Sequence, residues 1–296
     1  MELLQLRYFA DAATTENFSH TAKKFMVPQS SISETIKKLE TELGVNLFDR
    51  KGNKVILNEK GKIFQSGVES ALRHLDDVVR TLKDNKEEVS GDLSILVQTN
   101  RRLVTKCISE FKNLYPNVNF SIYHEYSDVT YDRFDICISD QIYGLKDLDK
   151  ELLITENILI TVSKNHPLAE RKVVSMKDLS DERFISMQTN RSLHKLLLSL
   201  CHNSGFNPHI AIQCDDPFYL REYVAMNLGI ALFPEFSWKN TFDDRVSFLE
   251  TSEGPIKRDT YVYWKNSKYI SKAAKLFRNY VIEKFREEYT SFARFL

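Results

Sequence analysis

The stretch VPQSSISETIKKLETELGVNLFDR, Val27 to Arg50, decides how the first part of the chain is read. Ile32, Ile36, Leu39 and Leu43 recur at spacings of four, three and four, which makes one apolar helix face. The opposite face carries Ser30, Ser33, Glu34, Lys37 and Thr41. Gln29, Ser30 and Ser31 form the first turn, so the helix begins slim and rich in hydrogen-bonding groups. Such a helix end suits a DNA groove. A helical hairpin with a solvated face is the alternative.

Working outward, Val27-Pro28 breaks the preceding helix, because a proline disfavours helical geometry in the residue before it. In that helix, HTAKKFM, Ser19 is the expected N-cap and Ala22 and Phe25 are the buried positions. Leu6, Phe9, Ala10 and Ala13 mark an earlier helix. On the other side, Gly44 ends the central helix. DRKGNKVILN then reads as a small hairpin turning at Gly52-Asn53 and carrying Arg50, Lys51 and Lys54.

A long helix follows, with Asn58 as its cap. Phe64, Val68, Ala71, Leu75, Val78 and Leu82 recur at alternating spacings of four and three, a heptad seam. The seam implies a partner helix, and hence a dimer. Packing against the protein's own body is the alternative. From about Gly91 the texture changes to apolar strands alternating with amphipathic helices, an open α/β arrangement. LSILV, VNFSIYHE, DICIS, ILITVSK, FISM, IAIQC and DTYVYWK are the expected strands.

The whole chain sets bounds on function. Its 296 residues suggest two or three compact units. Lys and Arg number 41 and so do Asp and Glu, so net charge gives no argument for a nucleic-acid partner, although a basic face can hide in a neutral total. No apolar run approaches the roughly 18 residues of a membrane span. The first residues lack the layout of a signal peptide, which predicts a cytoplasmic protein without a membrane partner. Cys107, Cys137, Cys201 and Cys214 form no CxxC pair, no His cluster has metal-ligand spacing, and neither a metal nor a cofactor is expected.

The residues Gln29, Ile32-Ser33, Ile36, Leu39-Glu40, Leu43-Gly44-Val45, Leu47-Phe48, Arg50, Leu57 and Gly61 follow a known pattern almost position by position. In this the chain resembles the LysR-type transcriptional regulators of bacteria. HPLA at His166–Ala169, LGIALFP at Leu228–Pro234 and FDICIS carry a weaker resemblance along the rest. Asn227 stands where glycine is usual, and asparagine tolerates the left-handed conformation such a turn needs. YSDVTYDRF is short for the helix that usually precedes DICIS.

The resemblance implies an α/β protein overall. Residues 1–57 would form a winged helix-turn-helix DNA-binding domain and 58–89 a linker dimerisation helix. Residues 90–296 would form an effector-binding region of two periplasmic-binding-protein-like α/β subdomains, the first from 90–161 with 265–296 and the second from 162–264. It also implies promoter DNA, a small-molecule effector, a homodimer or dimer of dimers, and RNA polymerase as partners.

On this reading Gln29, Ser30, Ser31 and Ser33 face bases or phosphates in the major groove, with Gln29 matching an adenine edge. Lys37 and Arg50 hold phosphate, and Lys51, Asn53 and Lys54 follow the adjacent backbone or minor groove. Glu34 either accepts from a cytosine amino group or pairs with Lys37 or Lys38 along its own helix.

For the effector, Gln98, Thr99 and Asn100 follow the first strand where a helix begins, a place that attracts anions. Gln188, Thr189 and Asn190 hold the matching place in the second subdomain, and Ser139 ends a strand nearby. These seven are expected to line one pocket for a polar or anionic metabolite. Helix capping alone is the alternative for Thr99 and Thr189. Peroxide-sensing members use two cysteines in the second subdomain; Cys201 lies near one of those places, but Thr189–Ser192 has none at the other. An enzyme or a solute receptor is the rival class. Neither accounts for the first 61 residues, and the chain has no nucleophile elbow, P-loop or dinucleotide fingerprint.

Overall fold

The computed structural model describes residues 1–51, 54–83, 89–125, 134–141, 148–239, 241, 244–266 and 270–294. Asn53, the side chains of Arg50, Lys51, Lys54 and Leu82, and the segment from Tyr126 to Arg133 lie outside what is described. The chain falls into two compact units. The first comprises Met1–Leu96, Phe111–Cys137 and Lys265–Phe277, and the second Val97–Glu110, Ile138–Trp264 and Arg278–Leu296.

The first unit opens with α1 (Leu3–Thr15), α2 (Phe18–Phe25) and α3 (Gln29–Leu43). The hairpin of β1 (Phe48–Lys51) and β2 (Lys54–Leu57) and the long α4 (Glu59–Lys83) follow. The stripe Ile32, Ile36 and Leu39 is buried together with Phe9, Ala12, Leu47 and Leu57. Each such aliphatic side chain contributes about 1.5–3 kcal/mol when removed from water. Gly44 takes a φ of 69° at the end of α3, the left-handed turn that stops the helix.

Asn58 caps α4 as the sequence indicates, its Oδ1 accepting from Gly61 N at 2.9 Å. The cap of α2 differs from expectation. Asn17, not Ser19, accepts from His20 N at 3.0 Å, and α2 begins at Phe18. The shift frees the Ser19 hydroxyl for another partner.

The heptad seam also divides. Phe64 lies 5.0 Å from the Phe9 ring, and Val68 is buried in the core of α1–α4. Leu72, outside the expected seam, is buried there too. These positions pack against the protein's own body, because α4 runs along α1. Arg7 of α1 donates to Asp76 of α4 at 2.6 Å, and Gln65 reaches Thr14 at 3.3 Å. Further along, Ala71, Leu75 and Val79 are exposed and Val78 is half-buried.

The same unit holds β3 (Gly91–Val97) paired in parallel with β4 (Val118–Tyr123). Phe111 packs edge-on to Phe277 at 5.1 Å over this pair.

In the second unit, α5 (Arg101–Leu114) begins after β3, and β5 (Ile136–Ser139) ends there. The long β6 (Leu148–Ser163) pairs antiparallel with β10 (Ala231–Pro234) and β11 (Val246–Thr251). β11 continues in parallel to β7 (Val173–Val174). β8 (Arg183–Met187) pairs in parallel with β9 (His209–Cys214), separated by α6 (Ser192–Asn203). α7 (Pro217–Ala225) follows, and β12 (Ile256–Lys265) and α8 (Lys272–Ala293) close the chain.

Asn227 takes a φ of 60°, so asparagine does meet the left-handed turn after α7. Gly229 follows where a β-carbon would come within 2.6 Å of the Arg183 carbonyl, which lets the chain approach β8. No helix among the described residues is long and apolar enough to cross a membrane.

Candidate functional site

Two sites take shape, one in each unit. The first is the outer face of α3. Pro28 sits at its N-cap with extended geometry, and the helix then starts at Gln29. With the isoleucine–leucine stripe turned inward, Gln29, Ser30, Glu34 and Lys37 are exposed, and Ser31 and Ser33 are half-exposed. The hydroxyl of Ser19 donates to Gln29 Oε1 at 3.0 Å, so the α2 residue displaced from its cap orients the first side chain of α3. Glu34 pairs with Lys38 one turn on, at 3.1 Å, on the open helix surface. Glu40 anchors the hairpin to α3, its Oε1 accepting from Leu47 N at 2.7 Å and Phe48 N at 3.1 Å.

The second is a cavity of about 350 Å³ in the second unit, lined along one side by Gln98–Arg102. Arg191–Leu193, Asp216–Phe218, Arg221, Trp238 and Arg258 are among the residues that line its other sides. Thr99 is buried, and its Oγ1 has no hydrogen-bond partner. It therefore does not cap α5, the alternative use of this hydroxyl. Gln98 Oε1 is within 2.8 Å of the Ser139 hydroxyl.

The other expected residues fall differently. Ser139 is fully buried behind Gln98, also within 2.8 Å of the Gln141 carbonyl, and does not reach the cavity wall. Asn100 reaches the wall, but its amide is committed. Nδ2 donates to Thr260 Oγ1 at 3.1 Å, and Oδ1 accepts from Ser237 at 3.0 Å. Gln188, Thr189 and Asn190 are exposed and do not line the cavity. α6 starts only at Ser192, so these three form the outward turn and the residues after them face the cavity.

The Arg258 side of the wall is held by a buried ion pair. Arg258 Nη2 donates to Glu156 Oε1 at 2.7 Å, and Ser237 N donates to Glu156 Oε2 at 2.8 Å. Burial works against the Arg258 charge, and Glu156 and Asp140 more than offset it, so the guanidinium holds its proton more tightly than usual. Arg221 moves the other way: burial lowers its pKa despite Asp216 and Glu222. Its guanidinium lies 6.0 Å from the Phe218 ring and 5.8 Å from the Trp238 ring.

Sequence reasoning missed Arg191, Arg221, Arg258, Phe218 and Trp238 as wall residues. Asp216-Pro217, a capping residue followed by an N1 proline, was the legible sign that a third helix starts here.

Burial pushes the Cys201 thiol up to about 11, and burial with Asp215 and Asp216 does the same for Cys214. Neither has the lowered pKa of a reactive thiol.

A winged helical DNA-binding fold joined to an α/β region with a polar cavity defines a ligand-responsive DNA-binding regulator. Residues 3–62 match the family model for the bacterial regulatory helix-turn-helix protein, lysR family, and residues 86–286 match the LysR substrate binding domain. The chain belongs to the LysR family of transcriptional regulators. It is 29% identical over 293 residues to the transcriptional dual regulator GltC of Bacillus subtilis, covering 96% of this chain and 98% of that protein. The uncharacterized regulator YybE of the same bacterium is 27% identical, covering 97% of this chain and 100% of that one. Among solved structures, a full-length OxyR variant from Pseudomonas aeruginosa superposes with a TM-score of 0.74 at 20% identity, covering 97% of this chain and 95% of that one. CbnR, a LysR family regulator, gives 0.67 at 18% identity, with 96% and 99% covered.

Proposed function

We propose that this LysR-type regulator reads promoter DNA with the outer face of α3 and responds to an anionic metabolite held in the cavity beside Thr99. The observation that carries the DNA half is the row of exposed Gln29, Ser30 and Lys37 and half-exposed Ser33 above the buried Ile32–Ile36–Leu39 stripe. Ser31 completes the helix start. Arg50, Lys51, Asn53 and Lys54 complete the interface from the hairpin. Glu34 stays paired with Lys38 rather than reading a base.

The effector half rests on the buried, unpartnered Thr99 hydroxyl at the start of α5, where backbone N–H groups favour an anion. Gln98 shares the wall. Asn100 lies on the wall with its amide committed, and Ser139 braces Gln98 from behind.

Residues 1–57 act as the DNA-binding domain, 58–89 as the linker and 90–296 as the effector region. The exposed Leu75 and Val79 on α4 continue as the dimer seam, with Val78 beside them, so that two copies of α3 address two half-sites. The protein acts in the cytoplasm, regulates transcription by RNA polymerase and catalyses no reaction.

Genome-wide mapping of bound DNA followed by gel shift on the recovered promoters tests the reading. Retention of a discrete promoter set, lost in Gln29→Ala with Ser33→Ala, is expected. Turnover of a metabolite without promoter retention would point to an enzyme instead.

A further inference from the structure

We infer that Ser19 is a positioning residue for operator reading: without touching DNA, it sets how sharply Gln29 tells one base pair from another. The inference deepens the DNA reading above and rests on it.

Ser19 is spare for any local duty. Asn17 already accepts from His20 N at 3.0 Å, so closing the start of α2 does not need a second hydroxyl. The residues around it hold the backbone still: Phe18, Thr21 and Ala22 are buried in α2. Ser19 itself is exposed, and its hydroxyl donates across to Gln29 Oε1 at 3.0 Å.

The other end of the bond is equally well founded. Gln29 is the first residue of α3, directly after Pro28 at a φ of −61°. Ile32, Ile36 and Leu39 are buried and fix how α3 is turned about its axis. The backbone of Gln29 therefore has one place, and only its side-chain torsions remain open. The bond to Ser19 closes those as well. It is a strut between two packed helices, ending on the side chain proposed to read a base.

The strut leaves the reading groups of the amide in service. A carbonyl oxygen has two lone pairs, and Ser19 takes one; Nε2 keeps both hydrogens. A donor and an acceptor remain, the pair that matches N7 and N6 of adenine. An unheld glutamine could swing its donor instead to guanine O6 or thymine O4, which flattens preference. A hydroxyl both donates and accepts, so Ser19 would also serve an amide turned over. What it fixes is where the amide stands, and hence which base edge the amide can meet.

The test uses the full chain on duplexes recovered by the promoter mapping above, with each base pair of the bound site replaced in turn. Gel shifts of Gln29→Ala first locate the base pair at which preference is lost. Ser19→Ala should flatten preference at that same base pair by about 2- to 10-fold, the worth of one hydrogen bond. Preference elsewhere and the salt-dependence slope should not change. Ser19→Thr, which keeps the hydroxyl, should restore the preference. In the Gln29→Ala background, Ser19→Ala should add nothing. The unfolding midpoint of Ser19→Ala should stay where it is, because Asn17 carries the cap.

Uniform weakening of every duplex by Ser19→Ala, with a lower salt slope, would assign the hydroxyl to phosphate and overturn the proposal. An unaltered preference, or an effect that persists without Gln29, overturns it too while the DNA reading stands. If Gln29→Ala itself leaves every preference intact, Gln29 is no base reader, and the proposal falls together with that part of the DNA reading.

Discussion

Gly61 lies so close to Leu47 that a β-carbon on it would stand 2.2 Å from the Leu47 carbonyl oxygen. That oxygen cannot retreat, because it accepts from Asn58 N at 3.0 Å. The first turn of α4 is thereby pressed onto the hairpin, with Leu57 Cδ1 only 2.6 Å from the same point. Gly61→Ala should destabilise the winged domain by about 1–3 kcal/mol, the usual cost of forcing atoms into a packed site. Urea denaturation followed by the helical signal measures it. An unchanged midpoint would show that α4 is free to lift off the hairpin.

Lys37 is exposed on the outer face of α3. Lys37→Ala should weaken binding to all DNA sequences alike and lower the salt-dependence slope by about 1. Gel shifts at several salt concentrations, on operator and unrelated duplexes, read both. Loss confined to one base pair would assign Lys37 to bases rather than phosphate.

Glu156 is 1% exposed and holds Arg258 and Ser237 together. Glu156→Gln leaves a buried guanidinium short of its counter-charge and should cost about 3–5 kcal/mol. The pair Glu156→Leu with Arg258→Met removes both charges and should recover much of that loss. Denaturant midpoints of the three proteins decide. A harmless Glu156→Gln would mean that Asp140 alone balances Arg258.

His194 is buried, its Nδ1 2.9 Å from the Ser186 hydroxyl, and burial lowers its pKa below the ordinary 6.5. The unfolded chain therefore takes up this proton at a higher pH than the folded one. The stability contribution is present above pH 6.5 and is lost as pH falls from there toward the folded pKa. Thermal midpoints should drop over that interval, and the His194→Gln variant should show a shallower drop. Parallel curves for the two proteins would remove His194 from the acid response.

The legible parts of the fold are those governed by local chemistry. The Ile32–Leu39 stripe and the Asn58 cap each follow from residue type and spacing alone, and the left-handed Asn227 was expected from the family resemblance, which puts a glycine there. Ser19 and Asn17 are both good caps, and only the path of the chain into α2 chooses between them. The heptad seam holds a similar ambiguity, since periodicity says that a face is buried and not against what. α1 covers Phe64 and Val68, which no pattern within α4 reveals. In the cavity, Thr99 was readable because it follows a strand directly. Arg221 and Arg258 meet there only through tertiary folding, and the turn at Gln188–Asn190 shifts the start of α6 beyond the residues that spacing indicated.

On the proposed reading, the bond from Ser19 to Gln29 bears on how tightly an operator is held. A glutamine wandering through its rotamers would forfeit about 0.5–1.5 kcal/mol on becoming fixed against a base. If α3 enters a groove as proposed, a Gln29 held beforehand by its neighbour on α2 would have that much less entropy to surrender at the moment of docking.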